Sequence, residues 1–308
     1  MIFEPKIFYH SYLKDYHKTK AIYLKKMLSD LPKYEKEFFG KELNINERDE
    51  FKKTLKSDLR QTYYHSIETF FELFFALNPK GKTTFDDEFV LFNLTNSKWA
   101  KNYAKIQKIA DNPKSLDFLN EKIKFTDFNI SIGHFLFYFG IFSKEKFPKE
   151  LFERIDESIE AIKYGIEIIA NDFTKKEEYN AYKHGLRIIP AATKLMLAEA
   201  KTMKVKIEWD ISESMSFYLK TKDPNELTVI TKVFDSERDY LMTYFCSNLI
   251  GHLIEYRKIA FDQNKNMKKD EKFPITFFGK EPIEDCNKTN IEIQDLTYSI
   301  KRTKTGSG

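Results

Sequence analysis

The chain has 308 residues, 42% of them hydrophobic, and sets 51 Lys and Arg against 47 Asp and Glu for a net charge of +4. That length fits one large domain, or a main domain with a smaller one attached. So even a charge balance excludes a chain held to nucleic acid by overall charge alone, but leaves room for a local basic groove. Only 10 Gly and 9 Pro fit long helices joined by short connections.

In chain order, helical periodicity runs from Tyr9 to Leu28 and stops before Pro32. A short helix over Tyr34 to Phe39 ends at Gly40. The longest candidate follows, Glu47 to Leu77, with Asn46 as N-cap and Asn78-Pro79 as its stop. Segments 86–94, 97–110 and 113–120 read as shorter helices, and Thr126 to Phe142 as a strongly apolar one. From Pro148 to Ala170, Leu151, Ile155, Ile159, Ile162, Ile166 and Ile169 recur at steps of three or four, the stripe of an amphipathic helix. Thr174-Lys175-Lys176-Glu177 has capping-box spacing and starts the helix that carries Asn180 and His184. Then the period changes. Residues 204–209 alternate strictly, and 215–219 and 227–233 are rich in β-formers, with Asp223-Pro224-Asn225 as a turn. Ser236 caps a long helix to Phe261, 264–272 is a polar loop, and Pro274 to Phe278 reads as an edge strand.

The fold expected is mainly α, a helical bundle with a small three-stranded antiparallel β insert near 204–234. The domain reading is a helical core over 1–200, a β-rich insert over 201–235, a C-terminal helix over 236–262 packing back on the core, and an irregular tail over 263–308 ending in a Gly306-Ser307-Gly308 tag remnant. The start of the chain has no apolar signal core. The longest apolar run, 130–142, is too short for the roughly 20 residues a spanning helix needs, so no membrane is expected. Cys246 and Cys286 stand apart, neither in a CxxC pair. They form no disulfide framework and fit a reducing cytoplasm.

Two polar strips stand out. Asn180, His184 and Arg187 sit at i, i+4 and i+7, which stacks them on one helical face, with Lys183 beside them. His exchanges protons near neutral pH, and Lys and Arg hold phosphate. On the 47–77 helix, which is apolar on nearly all sides, Gln61, His65, Glu68 and Glu72 make a narrow strip. Buried polar groups need partners. This strip is expected to face the first, with Glu68 or Glu72 paired to Arg187 or Lys183. The alternative is a structural ion-pair network without a reaction. His65, Glu68 and His184 would be a poor metal set, because the repeated Glu-x-x-His of a di-metal bundle is missing; no metal and no cofactor is assigned. His134 and His252 read as core histidines, His10 and His17 as surface ones. The chain has no Gly-rich phosphate loop, no Gly-x-Ser-x-Gly and no His-Glu-x-x-His. The Phe-rich segments 70–75 and 135–142 could also enclose an apolar ligand.

Arg60-Gln61-x-x-x-His65 and Tyr179-Asn180-x-x-x-His184-Gly185 resemble the signature of the HEPN superfamily, an Arg followed four to six residues later by His, often with Asn directly after the Arg. The departures are Gln61 at the Asn position and Tyr179 at the Arg position, for which Arg187 would substitute. The resemblance implies an all-α protein of bacterial defence or toxin–antitoxin systems that acts on RNA as a metal-independent endoribonuclease. It assigns His184, Asn180, Arg187, His65 and Arg60 to catalysis, and Lys183, Glu68 and Tyr64 to substrate. It also implies a homodimer or a protein partner, with the alternative of a non-catalytic helical regulator.

Overall fold

The computed structural model describes residues 5–79, 88–143, 145–174, 178, 188–190, 194–199, 201–210, 214–221, 223, 225–233, 235–263, 274–289 and 295–301. The fold is mainly α with small antiparallel sheets. In chain order the elements are α1 (Pro5–Ser11), α2 (Tyr16–Ser29), α3 (Leu31–Phe39), α4 (Ile45–Leu77), α5 (Glu88–Thr95), α6 (Trp99–Asp111) and a 3-10 helix (Pro113–Asn120). Then come β1 (Lys122–Phe125), β2 (Phe128–Ser131), α7 (Ile132–Phe137), α8 (Lys149–Phe173), β3 (Ile188–Pro190), β4 (Lys194–Ala198), β5 (Val205–Asp210), β6 (Ser214–Lys220) and β7 (Glu226–Val233). The chain closes with α9 (Ser236–Gln263), α10 (Lys280–Asn287) and β8 (Asp295–Lys301).

The chain forms two compact units, each discontinuous in sequence. The first comprises 1–20, 63–174 and 241–288, the second 21–62, 175–240 and 289–308.

The core of the first unit is aromatic. Phe70, Phe71, Phe74 and Leu77 of α4, Phe135 to Tyr138, the isoleucine stripe of α8 and Cys246, Leu249 and Leu253 of α9 are all buried. Phe74 stacks on Phe137 at 6.1 Å. Each such side chain contributes about 1.5–3 kcal/mol on burial. Arg257 is fully buried too. Its Nη1 donates to Leu136 O at 2.9 Å and its Nη2 to Phe135 O at 3.2 Å, so it satisfies carbonyls at the C-terminal end of α7 that the helix itself leaves open. His134 Nε2 donates to Ile141 O at 2.6 Å, and burial pushes its pKa down to about 4, a neutral core imidazole as its sequence context indicates.

Two glycines in long helices of this unit contrast. At Gly165 in α8, an added Cβ would run into the ring of Phe245, with Cε1 at 2.8 Å; at Gly251 in α9 it would meet nothing within 4 Å. Gly165→Ala is therefore expected to cost about 1–3 kcal/mol through overpacking. Gly251→Ala should gain up to about 1 kcal/mol of helix propensity. Urea denaturation of the two variants checks the opposite signs.

The second unit has an apolar cluster of Ala21 and Leu24 from α2 with Leu55 and Leu59 from α4, against which Phe51 and Tyr240 pack. Its larger sheet has the order β3-β6-β7-β8, all neighbours antiparallel. Across β6 and β7, Ser216 pairs with Thr231 in register and their hydroxyls meet at 2.7 Å.

Several expectations need correction. The insert is not a three-stranded sheet. β5 pairs with β4, and β6–β7 are flanked by β3 and β8, because alternation marks a strand without naming its neighbour. The tail over 263–308 is not irregular throughout, since it supplies α10 and β8. The 274–278 stretch joins no ladder. Thr126 to Phe142 is not one helix. Lys122↔Ser131 through Phe125↔Phe128 form a hairpin, with Thr126 at φ 51° in the turn. Ser131 then caps the short α7 by accepting from His134 N. The expected 9–28 helix is broken between α1 and α2. The cap of α4 is Asn44, not Asn46: Asn44 Oδ1 accepts from Glu47 N and Glu47 Oε2 from Asn44 N, both at 3.0 Å, a reciprocal capping box. Asp235, not Ser236, caps α9 by accepting from Arg238 N at 3.0 Å. Thr174 closes α8, donating its hydroxyl back to Asn171 O at 2.7 Å.

Candidate functional site

In the second unit, α4 carries Arg60 to a buried carboxylate pair. Arg60 Nε donates to Glu178 Oε1 at 2.9 Å and Arg60 Nη1 to Asp239 Oδ1 at 2.5 Å. Lys232, on β7, donates to Glu178 Oε2 at 2.6 Å. The four groups are almost dry, with side-chain exposures of 13% for Arg60, 12% for Lys232, 2% for Glu178 and 1% for Asp239. Asp239 stands in the first turn of α9, where a helix N-terminus favours a carboxylate.

The two carboxylates are held differently. Burial works against the charge of Glu178, but Arg60 and Lys232 together outweigh it and hold its pKa at about 2. Burial, helped by the Glu178 charge, pushes Asp239 up to about 6, since Arg60, shared with Glu178, and Arg238 offset only part of that cost. The arrangement is two cations on two carboxylates with most hydrogen-bonding directions used. That geometry fixes backbone segments firmly.

Glu178 lies two residues before Asn180 and six before His184. Its pairing with Arg60 therefore joins the Arg60-x4-His65 segment to the residue that leads into the second motif, across 118 positions of sequence. Asn180, Lys183, His184 and Arg187 lie outside the described residues, and so does the expected pairing of Glu68 or Glu72 with Lys183 or Arg187.

The remaining motif residues are in the first unit. Tyr64 is fully buried, with its ring 6.5 Å from Phe173 and 6.0 Å from Tyr63; this is the environment of a core side chain. His65 and Glu68 are half-buried on α4. The α4 strip meets the N-terminal segment. His17 is buried, against the expectation of a surface group, and its Nε2 lies 3.0 Å from Thr69 Oγ1. Burial first, then the charges of His65 and Lys20, lower the His17 pKa to about 4. Burial and the Glu72 carboxylate raise Tyr12 to about 12. Hence His17 is a neutral imidazole at neutral pH, held by Thr69.

Sequence reasoning missed Glu178, Lys232, Asp239 and His17. The signal for Glu178 was available, a carboxylate directly ahead of a polar strip. The other three stand 54, 179 and 52 positions in sequence from the residues they meet, and no local pattern marks them. Among the described residues, no three His, Cys, Asp or Glu side chains cluster as metal ligands, and no helix is long and apolar enough to cross a membrane. No family model, curated protein or solved structure matches the chain.

Proposed function

We propose that the protein is a HEPN-like endoribonuclease of bacterial defence or toxin type that cleaves RNA without a metal, in the cytoplasm and as a homodimer. One observation supports this reading most: the Arg60–Glu178 ion pair links the two segments that carry an Arg/His-type motif. In the proposed reaction the RNA 2′-oxygen attacks the adjacent phosphorus and the bond to the 5′-oxygen breaks. The products are a 2′,3′-cyclic phosphate and a free 5′-hydroxyl. His184 or His65 takes the 2′-hydroxyl proton, and the other imidazole delivers one to the leaving oxygen. Arg187, with Asn180 and Lys183, offsets charge on the five-coordinate phosphorus. Arg60 acts as a positioning residue, since two of its donors are already held by carboxylates.

That same engagement favours a second reading, a non-catalytic helical regulator whose polar network is structural. Incubating the chain with single-stranded RNA and EDTA separates the two. Cleavage to cyclic-phosphate ends supports the nuclease; intact RNA with a stable protein complex supports the regulator.

A further inference from the structure

We infer that the outer edge of β8 is an interface through which two copies of this chain associate, their β8 strands pairing antiparallel about a two-fold axis at Tyr298. β8 ends the larger sheet, whose order is β3-β6-β7-β8. Its inner side pairs with β7 over all seven residues, from Lys232↔Asp295 to Glu226↔Lys301. Among the described residues no strand lies against its outer side. A row of backbone N–H and C=O groups there is a template for another strand.

Folded chains blunt such edges with short strands, Pro or bulges. The opposite edge of this sheet is blunted in that way: β3 has three residues and ends in Pro190, which has no N–H to donate. β8 has no Pro and no break in register, and its two charged residues stand at its ends. One open edge per copy closes as a pair, whereas two would propagate.

The strand's own sequence selects the occupant. Asp-Leu-Thr-Tyr-Ser-Ile-Lys is complementary to its own reverse. Pairing about Tyr298 sets Asp295 opposite the partner copy's Lys301, Leu296 opposite Ile300 and Thr297 opposite Ser299. Opposite charges, apolar groups and hydroxyls are thus matched, each match made twice by symmetry. The charges continue into the flanking strands. In register the row runs Glu226, Lys301, then the partner copy's Asp295 and Lys232, so the sign alternates at every step. Backbone geometry allows this register. Alternate residues of a strand turn both N–H and C=O to the same side, so outward groups meet only where paired positions differ by an even number, as all three of these pairs do. The alignment also covers exposed apolar surface. Ile300 is 46% exposed and Leu227, its neighbour across β7 and β8, 44%. Both belong by register to the face that carries the buried Val229 and Thr231, and the partner copy's Leu296 extends that row. A foreign strand would find backbone groups here but not matched charges at both ends. This interface does not depend on the nuclease reading.

The test is sedimentation velocity of the full chain over a wide range of concentration, which should show monomer converting to dimer. Lys301→Glu and Asp295→Lys each set like charges opposite across the axis. Each should raise the dissociation constant tenfold or more with an unchanged circular dichroism spectrum. An equimolar mixture of the two variants restores both opposite pairs and should regain association, which damage within either chain would not permit. Cross-linking in a Cys286→Ser background reads the register. Tyr298→Cys should give a disulfide-linked dimer under mild oxidation, since directly opposite residues lie about 4.5–5.5 Å apart. Asp295→Cys should not, because the two copies of that position lie roughly 20 Å apart along the strands. The proposal is overturned by a monomer at every concentration, by a dimer that neither charge variant weakens, by a mixture that associates no better than its components, or by equal cross-linking at the two positions. A dimer that leaves RNA intact keeps the interface and removes the nuclease. RNA cleavage by a chain that stays monomeric does the reverse, so the two readings fail separately.

Discussion

Arg60→Met is expected to lower the unfolding free energy by about 3–5 kcal/mol, because it takes the shared cation away from two buried carboxylates. Glu178 keeps Lys232 at 2.6 Å, but Asp239 loses the guanidinium that accompanies its burial. The two acids should then respond in opposite ways. Glu178, held at about 2, contributes stability that is complete above the ordinary carboxylate range and is lost as pH falls through about 2. Glu178→Gln should therefore destabilise at pH 7. Asp239, raised to about 6, takes up a proton on folding. Its contribution makes the protein more stable as pH falls from 7 through 6 toward 4, by roughly 2–3 kcal/mol at 1.36 kcal/mol per unit. Asp239→Asn should be neutral or stabilising at pH 7 and should flatten that rise. Urea titrations of the wild type and the three variants at pH 4.5, 6 and 7.5 measure all of this. Equal losses for Glu178→Gln and Asp239→Asn at every pH would contradict the asymmetry.

The second large effect concerns catalysis. If His184 and His65 move the two protons of RNA cleavage, His184→Ala and His65→Ala should each reduce the rate about 10²–10⁴-fold in EDTA, with melting temperatures close to wild type. The rate of the wild type should follow a bell-shaped pH profile whose limbs report one group acting as base and one as acid. Arg187→Ala should lower the maximal rate more than it weakens RNA binding, as loss of a group that acts on the transition state requires. Cleavage that survives both histidine changes, or that requires an added divalent ion, would sink the mechanism. Arg60→Lys provides a further distinction. It keeps a cation but loses the forked geometry that reaches two carboxylates at once, so it should destabilise without shifting the pH profile.

What was legible in the sequence was local. The isoleucine stripe of 148–170 marked α8 because a helix repeats its neighbours every three or four residues. Asn78-Pro79 set the end of α4, and strict alternation found β5. Where short-range rules compete, local pattern does not fix the element. Thr126 to Phe142 is apolar enough for a helix, but Thr126-Asp127 turns the chain and β1 supplies a partner that lets 128–131 pair as a strand. Cap chemistry recurs within a residue or two, so Asn46 and Ser236 read as caps while Asn44 and Asp235 are the residues that accept from the helix N–H groups.

The sequence by itself determined that the chain is mainly helical, which helices are long, and that polar strips cross them, because side-chain periodicity and propensity act over a few residues. Only the tertiary structure decided that Arg60 meets Glu178 and Asp239, that His17 meets Thr69, that β8 completes the sheet begun by β6 and β7, and that Gly251 faces open space. These depend on which distant segments exclude water from each other, and burial then sets the partners and the protonation of each charged group.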